Sequence, residues 1–373
     1  MSESLPIKNK RILVLANFDV GLYKFRKALL QELIRLGNEV YISLPNGEYV
    51  AELEKMGCHF VDTRLERRGM NPLRDIGLYM QYRHILKKCV PDLVIAYTIK
   101  PNIYGGFACR MAKIPFVANI TGLGSAIEGG GMLCRLVMTM YKAGLKKAKI
   151  VFFENAGNRD VLVNAGVVKP EKTCVLCGAG IDTDEYPALP YPTDSPLRFL
   201  FVGRIMKEKG VDELFEAMTR LKVEYGEKVI LDVVGLFEES YQQRINDLQA
   251  DGIIRFHGYQ ANVKPFYAAA HCTVLPSYHE GMSNVLLEAA SCGRPLITSN
   301  IHGCMEAVED GVSGYLCEAK DVQSLYRAMK QFCELPNEDR ENMGLAGRQR
   351  MVERFDKIEI VKKTMDGLFD GKQ

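Results

Sequence analysis

The sequence lacks the features by which membrane-spanning, exported and nucleic-acid-wrapping proteins are recognised. Nowhere do about eighteen apolar residues run uninterrupted, and the opening MSESLPIKNKR has no apolar core of signal-peptide type. The 48 basic and 46 acidic residues leave a formal net charge of only +2, so nucleic acid is not expected as a partner. These absences predict a cytoplasmic globular protein whose basic surfaces are local.

Metal-ligand and disulfide patterns are also missing. The eleven cysteines are odd in number and mostly stand in apolar runs such as GFACRMA, which is typical of small buried residues in a reducing compartment. Cys174 and Cys177 form the only C-x-x-C, and no second pair stands at zinc spacing. The six histidines show no ligand spacing either, so we expect no metal site.

Apolar strands alternate with amphipathic helices along most of the chain. RILVLAN reads as a strand, FRKALLQELIRLG as a helix and EVYISLP as the next strand, and a similar series resumes after the proline-rich stretch ALPYPTDSP at 188–196. At 373 residues, two domains are expected. We predict an α/β protein with two Rossmann-like, doubly wound domains at 1–190 and 197–355, facing each other across a cleft. Residues 356–373 are predicted to form a helix that packs back on the first domain.

Two cations follow the first strand of the second half, in FLFVGRIMKEKGVDELFEAM. The strand is predicted to end at Gly203, with Arg204 and Lys209 in the loop before a helix. At the carboxyl edge of a parallel sheet, guanidinium and ammonium groups could clamp a diphosphate. The alternative is an ordinary solvated loop.

A second loop of the same half, SYHEGMSNVLLEAASCGRPLI, carries two carboxylates. A strand should end near Ser277 and a helix should start at Ser283 or Asn284, which are favoured N-cap residues. Glu280 then lies in the loop and Glu288 on the helix. Carboxylates facing phosphates would repel them, so both are better explained as acceptors for hydroxyl groups, or as solvated acids.

The turn between these carboxylates has the composition of an anion site. Gly281 allows close backbone approach, and the amides of Met282, Ser283 and Asn284 would point from the helix N-terminus toward a phosphate. Amides and cations for a diphosphate, with acids for hydroxyl groups on either side, together predict a sugar-nucleotide site.

The combined motifs resemble those of glycosyltransferase family 4, whose members are retaining enzymes of GT-B fold. The resemblance rests on GR and KG after the strand, on E-G-x6-E followed by A-x-x-C-G-x-P-x-I, and on GAGID and EAVEDGVSGYL. It implies that the second domain binds a UDP-sugar and the first an acceptor. Transfer would proceed with retention and without a metal ion or other cofactor.

The resemblance also implies roles for particular residues. Arg204 and Lys209 would neutralise the diphosphate, Glu288 would bind the ribose and Glu280 the sugar, so that Glu280, Arg204 and Lys209 form the catalytic set. The backbone around Tyr259 would bind the base of the nucleotide. In the first domain, the segment LANFDVGLYKFRKALL places Gly21 in a loop that would approach the donor.

Two further segments, YTIKPNIYGG and NITGLGSAIEGGG, resemble a subgroup that builds bacterial surface glycans on polyprenyl diphosphate carriers. Acceptor-side candidates, each with an equally reasonable structural role, are Thr98, Lys100, Asn119 and Thr121. Many family members have a histidine near the second segment, where this chain has Thr121. Because the departing phosphate oxygen could itself accept the acceptor's proton in a retaining transfer, no general base is assigned.

A basic amphipathic segment, MLCRLVMTMYKAGLKKAKIVFF, could rest on an anionic leaflet or simply pack against the core. We therefore expect a glycosyltransferase, cytoplasmic and peripheral at the inner membrane. It would move a hexose or N-acetylhexosamine from a UDP-sugar to a lipid-linked saccharide. The alternatives are a UDP-sugar 2-epimerase, a phosphorylase, or a non-catalytic sugar-nucleotide-binding module at the membrane.

Overall fold

The computed structural model describes residues 8–66, 72–124, 127 and 130–370. The chain forms two compact units: unit 1 comprises Met1–Gly180 and Lys357–Gln373, and unit 2 comprises Ile181–Asp356. The proline-rich stretch 188–196, placed between domains by its composition, belongs to unit 2. Its backbone is held there because the Leu189 amide donates to the Cys292 carbonyl and the Arg294 guanidinium donates to the carbonyls of Leu189 and Pro190.

Unit 1 is built on a parallel sheet of order β3-β2-β1-β4-β5-β6-β7. Its strands are β1 (Arg11–Leu15), β2 (Glu39–Leu44), β3 (Cys58–Asp62), β4 (Leu93–Tyr97), β5 (Phe116–Ile120), β6 (Ile150–Phe153) and β7 (Thr173–Val175). Its helices are α1 (Asp19–Arg35), α2 (Val50–Lys55), α3 (Pro72–Cys89), α4 (Gly106–Ala112), α5 (Gly131–Leu145) and α6 (Ala156–Asn164). Every residue of β4 and β5 is buried, as expected for strands covered on both faces.

Unit 2 has a second parallel sheet, of order β10-β9-β8-β11-β12-β13. Its strands are β8 (Leu197–Val202), β9 (Val229–Val234), β10 (Ile254–Phe256), β11 (Cys272–Leu275), β12 (Leu296–Ser299) and β13 (Gly314–Cys317). Its helices are α7 (Val211–Tyr225), α8 (Gln242–Ala250), α9 (Lys264–Ala269), α10 (Asn284–Ser291), α11 (Val322–Glu334) and α12 (Asn337–Arg354). The predicted fold class, two doubly wound α/β sheets, is confirmed.

The last helix, α13 (Lys357–Asp370), lies beyond unit 2 in the chain but belongs to unit 1. Its Ile360, Met365 and Leu368 are buried in the cluster that holds Leu29 of α1 and Phe152 of β6. Polar contacts add to this packing, because Lys149 and Lys363 donate to the backbone carbonyls of Leu368 and Val175. The core of unit 1 is therefore built from both ends of the chain.

In each sheet, the strand that comes first in the chain has the next two strands on one side and the later strands on the other. The strand order thus reverses between β1 and β4 in unit 1 and between β8 and β11 in unit 2. At such a switch point the loops leaving the two strands diverge, and a crevice opens at the carboxyl ends. The loops after β8 and β11 are the two that the sequence singled out.

Candidate functional site

The loops after β8 and β11 touch at the switch point of unit 2. The first passes through a short 3₁₀ turn, Lys207–Lys209, and reaches α7 at Gly210. Gly210 has φ +70°, and a Cβ there would lie 2.0 Å from the Pro276 carbonyl oxygen of the second loop. Because only glycine permits this approach, the two loops are held side by side.

This approach brings Lys209 and Glu280 together. The Lys209 ammonium lies 2.5 Å from Glu280 Oε1, and the Ser277 hydroxyl donates to the same oxygen at 2.8 Å. The side chains of Lys209 and Glu280 are only 17% and 13% exposed, so the pair is largely shielded from bulk water. An ammonium carries three N–H donors, and Glu280 takes one, which leaves capacity for a further acceptor.

The turn before α10 is tight, as its sequence suggests, but one of its backbone amides already donates a hydrogen bond to a protein carbonyl. The Ser283 amide donates to the Gly303 carbonyl at 2.9 Å, so the prediction that this amide is open to an anion is wrong. A Cβ on Gly303 would lie 2.6 Å from the Glu280 carbonyl, which shows how closely the two segments run. The first helical bond runs from the Leu287 amide to the Ser283 carbonyl, and the amides that precede it, from Asn284 onward, have no partner within the helix.

Arg204 has a different partner from Lys209. It follows β8 directly, its side chain is 48% exposed, and its guanidinium lies 3.6 Å from Glu238, which follows β9. The structure thus brings Lys209 to Glu280 and Arg204 to Glu238. Because the Arg204 side chain is half exposed, it is able to reorient.

Glu288 is oriented by tyrosines that sequence reasoning missed. The hydroxyl of Tyr267, on α9, donates to Glu288 Oε2 at 2.9 Å, and Tyr267 is fully buried. Burial, followed by the nearby Glu288 carboxylate, raises the pKa of Tyr267 well above its ordinary value. Burial and Glu288 likewise raise the pKa of Tyr186. Both hydroxyls therefore stay protonated and act as donors. No periodic pattern signals this cluster, because its members are far apart in sequence.

Tyr259 lies on a braced turn after β10. Its side chain is 57% exposed, while the Gly235 amide donates to the Gly258 carbonyl at 2.8 Å. The His257 ring nitrogen Nε2 lies 2.7 Å from Asp232 Oδ1, so the start of the turn is anchored to β9. The backbone here is positioned by these contacts to β9 and the residue that follows it, rather than by the tyrosine side chain.

In unit 1, the acceptor-side candidates stand at the carboxyl ends of β4 and β5, and Thr121 directly follows β5. Thr98 has φ +71°, and its hydroxyl is buried with no hydrogen-bond partner among the described residues. Lys100 donates to Asp75 of α3 at 2.8 Å, a contact that the sequence did not reveal. Asn119 donates to the Ala96 carbonyl at 3.2 Å, which ties its side chain to β4.

Gly21 lies in the first turn of α1, which begins at Asp19, so the prediction that it is a loop residue is wrong. Asp19 supplies the acidic side chain that the first turn of a helix favours. This side chain is buried and accepts a hydrogen bond from the Tyr49 amide at 2.6 Å. Part of the glycine-rich segment 119–131 lies outside the described residues.

Over the described ranges, no helix combines the length and apolar character needed to cross a membrane. In that same part of the chain, no group of three or more His, Cys, Asp or Glu side chains is placed to hold a metal ion.

Solved structures with the same fold identify its class. Anabaena Alr3699/HepE in complex with UDP and glucose matches with a TM-score of 0.79, at 19% identity, over 96% of this chain and 99% of that one. WaaG, a glycosyltransferase of lipopolysaccharide biosynthesis, matches with a TM-score of 0.74 at 17% identity, over 96% of this chain and 100% of that one. The two parallel α/β sheets are those of the GT-B fold.

Sequence comparisons identify the family. The glycosyl transferase 4-like model matches residues 11–155, and the model of glycosyl transferases group 1 matches residues 187–350. The lipopolysaccharide core biosynthesis glycosyltransferase LpsE of Rhizobium meliloti is 30% identical over 81% of this chain and 80% of its own length. The N,N'-diacetylbacillosaminyl-diphospho-undecaprenol alpha-1,3-N-acetylgalactosaminyltransferase of Campylobacter jejuni is 27% identical over 84% of this chain and 87% of its own length. The chain belongs to these glycosyltransferases, and the predicted enzyme class is confirmed.

Proposed function

We propose that the enzyme moves a hexose or N-acetylhexosamine from a UDP-sugar to a saccharide on a polyprenyl diphosphate carrier during assembly of a bacterial surface glycan. The observation that carries the proposal is the shielded Lys209–Glu280 pair at the switch point, beside the N-terminus of α10. The Anabaena structures with UDP and glucose, or with UDP-glucose, support the donor. The Campylobacter jejuni relative, which is named for a diphospho-undecaprenol-linked acceptor, supports the acceptor. The Rhizobium meliloti relative, which is named for lipopolysaccharide core biosynthesis, supports the pathway class.

In the proposed reaction, negative charge accumulates on the diphosphate as the bond to the sugar breaks. The Lys209 ammonium and the first-turn amides of α10 would stabilise that charge, without a metal ion. Arg204 would join them by leaving Glu238, a movement that its exposure permits. Glu280 would hold a hydroxyl group of the sugar and Glu288 the ribose hydroxyls. The configuration would be retained, because the acceptor would attack the face from which the diphosphate departs and an oxygen of that diphosphate would take the proton.

An inner-leaflet location would give the enzyme access to a lipid carrier. Basic and apolar side chains are both exposed on and just after α5, namely Arg135, Lys142, Lys146, Met132 and Leu136. Each basic residue near an anionic membrane surface contributes about 1 kcal/mol of attraction. This surface is the part of the chain that we assign to the membrane.

The test is transfer from UDP-sugars to a polyprenyl-diphosphate-linked saccharide, with Glu280→Gln, Lys209→Met and the control Glu227→Gln. Loss of one charged group that stabilises the transition state should lower kcat by about 10²–10³-fold. Glu227 is 93% exposed and lies 2.9 Å from Lys222, in the turn between α7 and the start of β9. That turn is at the end of the sheet opposite the candidate site, so the Glu227→Gln variant should keep full activity.

Two results would contradict the proposal. One is full transfer by Glu280→Gln. The other is conversion of the UDP-sugar at the same rate with and without acceptor, which would identify an epimerase.

A further inference from the structure

An apolar cavity of about 210 Å³ lies between α3, α4 and α5 of unit 1. Its walls include Ile76, Tyr79, Ile103, Phe107, Met140 and Ala143. Protein interiors leave few voids larger than a water molecule, and an apolar cavity of roughly 150 Å³ can stay dry and bind a hydrocarbon. Ile76 is 60% exposed, so the cavity reaches the surface at this residue and a ligand could enter there.

Large apolar side chains continue outward from the mouth of the cavity. Leu73 and Ile76 on α3 are 81% and 60% exposed, and Met132 and Leu136 on α5 are 88% and 51% exposed. Both helices begin at the carboxyl edge of the sheet, because each follows a parallel strand. The exposed apolar surface therefore lies at the sheet edge that also carries Lys100.

Cations flank the cavity. The Arg83 guanidinium lies 5.9 Å from the centre of the Tyr79 ring, and the Arg110 guanidinium lies 4.6 Å from the centre of the Phe107 ring. The carboxylate in the wall is Asp75, which accepts hydrogen bonds from Lys100 at 2.8 Å and from Tyr104 at 3.0 Å. Its charge is thereby compensated, so this carboxylate does not oppose an anionic group bound near the mouth of the cavity.

We infer that this cavity binds the isoprenoid segment next to the diphosphate of the lipid-linked acceptor. The inference rests on the proposed function, and it names the place where the acceptor's chain is held. The isoprenoid is favoured over a bulk membrane lipid because the cavity opens at the sheet edge of unit 1 that carries Lys100 and the other acceptor-side candidates. A chain anchored there would restrict the acceptor's approach to the sugar.

A binding experiment without donor tests this directly, with farnesyl diphosphate as the probe. The chain contains no tryptophan, so Tyr79→Trp would provide a single indole in the cavity wall. Its emission should shift to saturation with farnesyl diphosphate and stay unchanged with inorganic diphosphate. If inorganic diphosphate produces the same shift, the site recognises phosphate alone and the inference is wrong.

Calorimetric titration of farnesyl diphosphate into variants supplies the second readout. Ile76→Glu places a charge at the mouth, where it should not disturb folding because Ile76 is largely exposed, and it should weaken binding at least tenfold. Val223→Glu makes the same kind of change at an 85% exposed position of unit 2 and should bind like the wild type. Equal affinity of Ile76→Glu and the wild type would overturn the inference, as would equal competition by phosphatidylglycerol vesicles.

The binding result is independent of catalysis. If farnesyl diphosphate binds as described while no lipid-linked saccharide is extended, only the proposed function fails. If transfer occurs but Ile76→Glu uses long-chain and short-chain acceptors as the wild type does, only the cavity assignment fails.

Discussion

Glu280 is held by two donors before any substrate binds, because Lys209 and Ser277 both contact Oε1. The carboxylate can therefore meet a sugar hydroxyl with its geometry already set. Pre-organised polar groups avoid the cost of reorientation when charge develops in a transition state. The same principle applies to Glu288, which depends on Tyr267.

Tyr267→Phe should raise the KM for the UDP-sugar while leaving kcat within about twofold. A hydrogen bond to a charged group contributes about 1.5 kcal/mol, which corresponds to a roughly tenfold change in binding. Steady-state kinetics with varied donor would measure it. Tyr326→Phe, which removes a surface hydroxyl bonded to Glu224, is the matched control. An unchanged KM in Tyr267→Phe would remove the tyrosine from the donor site.

His271 should make unit 2 less stable in mild acid. Its Nδ1 accepts a hydrogen bond from the Arg198 amide, and burial lowers the pKa of the ring to about 4. In the unfolded chain the histidine has a pKa of about 6.5, so it binds the proton at a higher pH than in the native state. The native state therefore loses about 2 kcal/mol of stability as the pH falls from 7 to 5.

The His271→Asn variant can still accept from the Arg198 amide but does not titrate. Chemical denaturation at pH 7 and pH 5 should show a smaller loss for this variant than for the wild type. An identical loss in both proteins would assign the acid sensitivity to other groups.

Among the elements, α10 and α12 are packed backbone to backbone. A Cβ on Gly344 of α12 would lie 2.1 Å from the carbonyl oxygen of Gly293, two residues beyond the end of α10. Gly344→Ala should therefore destabilise the protein by about 1–3 kcal/mol, because the helices must move apart. Gly77→Ala in α3 meets no atom within 4 Å and should stabilise by about 0.5–1 kcal/mol. Thermal unfolding of the two variants would test both expectations. A stabilising effect of Gly344→Ala would contradict the packing argument.

Sequence periodicity predicted the alternation of strands and helices and the switch-point loops, because a buried parallel strand and an amphipathic helix each leave a local pattern. It correctly placed Lys209 and Glu280 in loops leaving strands of one sheet. It could not predict that Gly303 occupies the Ser283 amide or that Tyr267 orients Glu288. Those contacts join separate elements, and their partners are fixed only when the elements pack.

For the whole molecule, α13 determines whether unit 1 has a complete core. Its Ile360, Met365 and Leu368 are each at most 7% exposed. Burying side chains of this kind contributes about 1.5–3 kcal/mol each, so removing the helix should cost on the order of 5 kcal/mol. That loss is comparable to the whole stability of a typical domain.

A chain ending at Asp356 should therefore expose unit 1 to limited proteolysis while unit 2 stays protected. Mass spectrometry of the fragments would show cleavage in α1 and around β6 before any cleavage between Ile181 and Asp356. If both units resist equally, α13 is dispensable for the core.

The placement of α13 also has a consequence for synthesis on the ribosome. The first-translated part of unit 1 cannot pack against α13 until Ile181–Asp356 has been translated. This takes roughly 10 to 35 s at about 5–20 residues per second. During that interval the sites for Ile360, Met365 and Leu368 stay uncovered. The nascent protein thus offers chaperones an apolar surface that can be covered only after the whole of unit 2 has been translated.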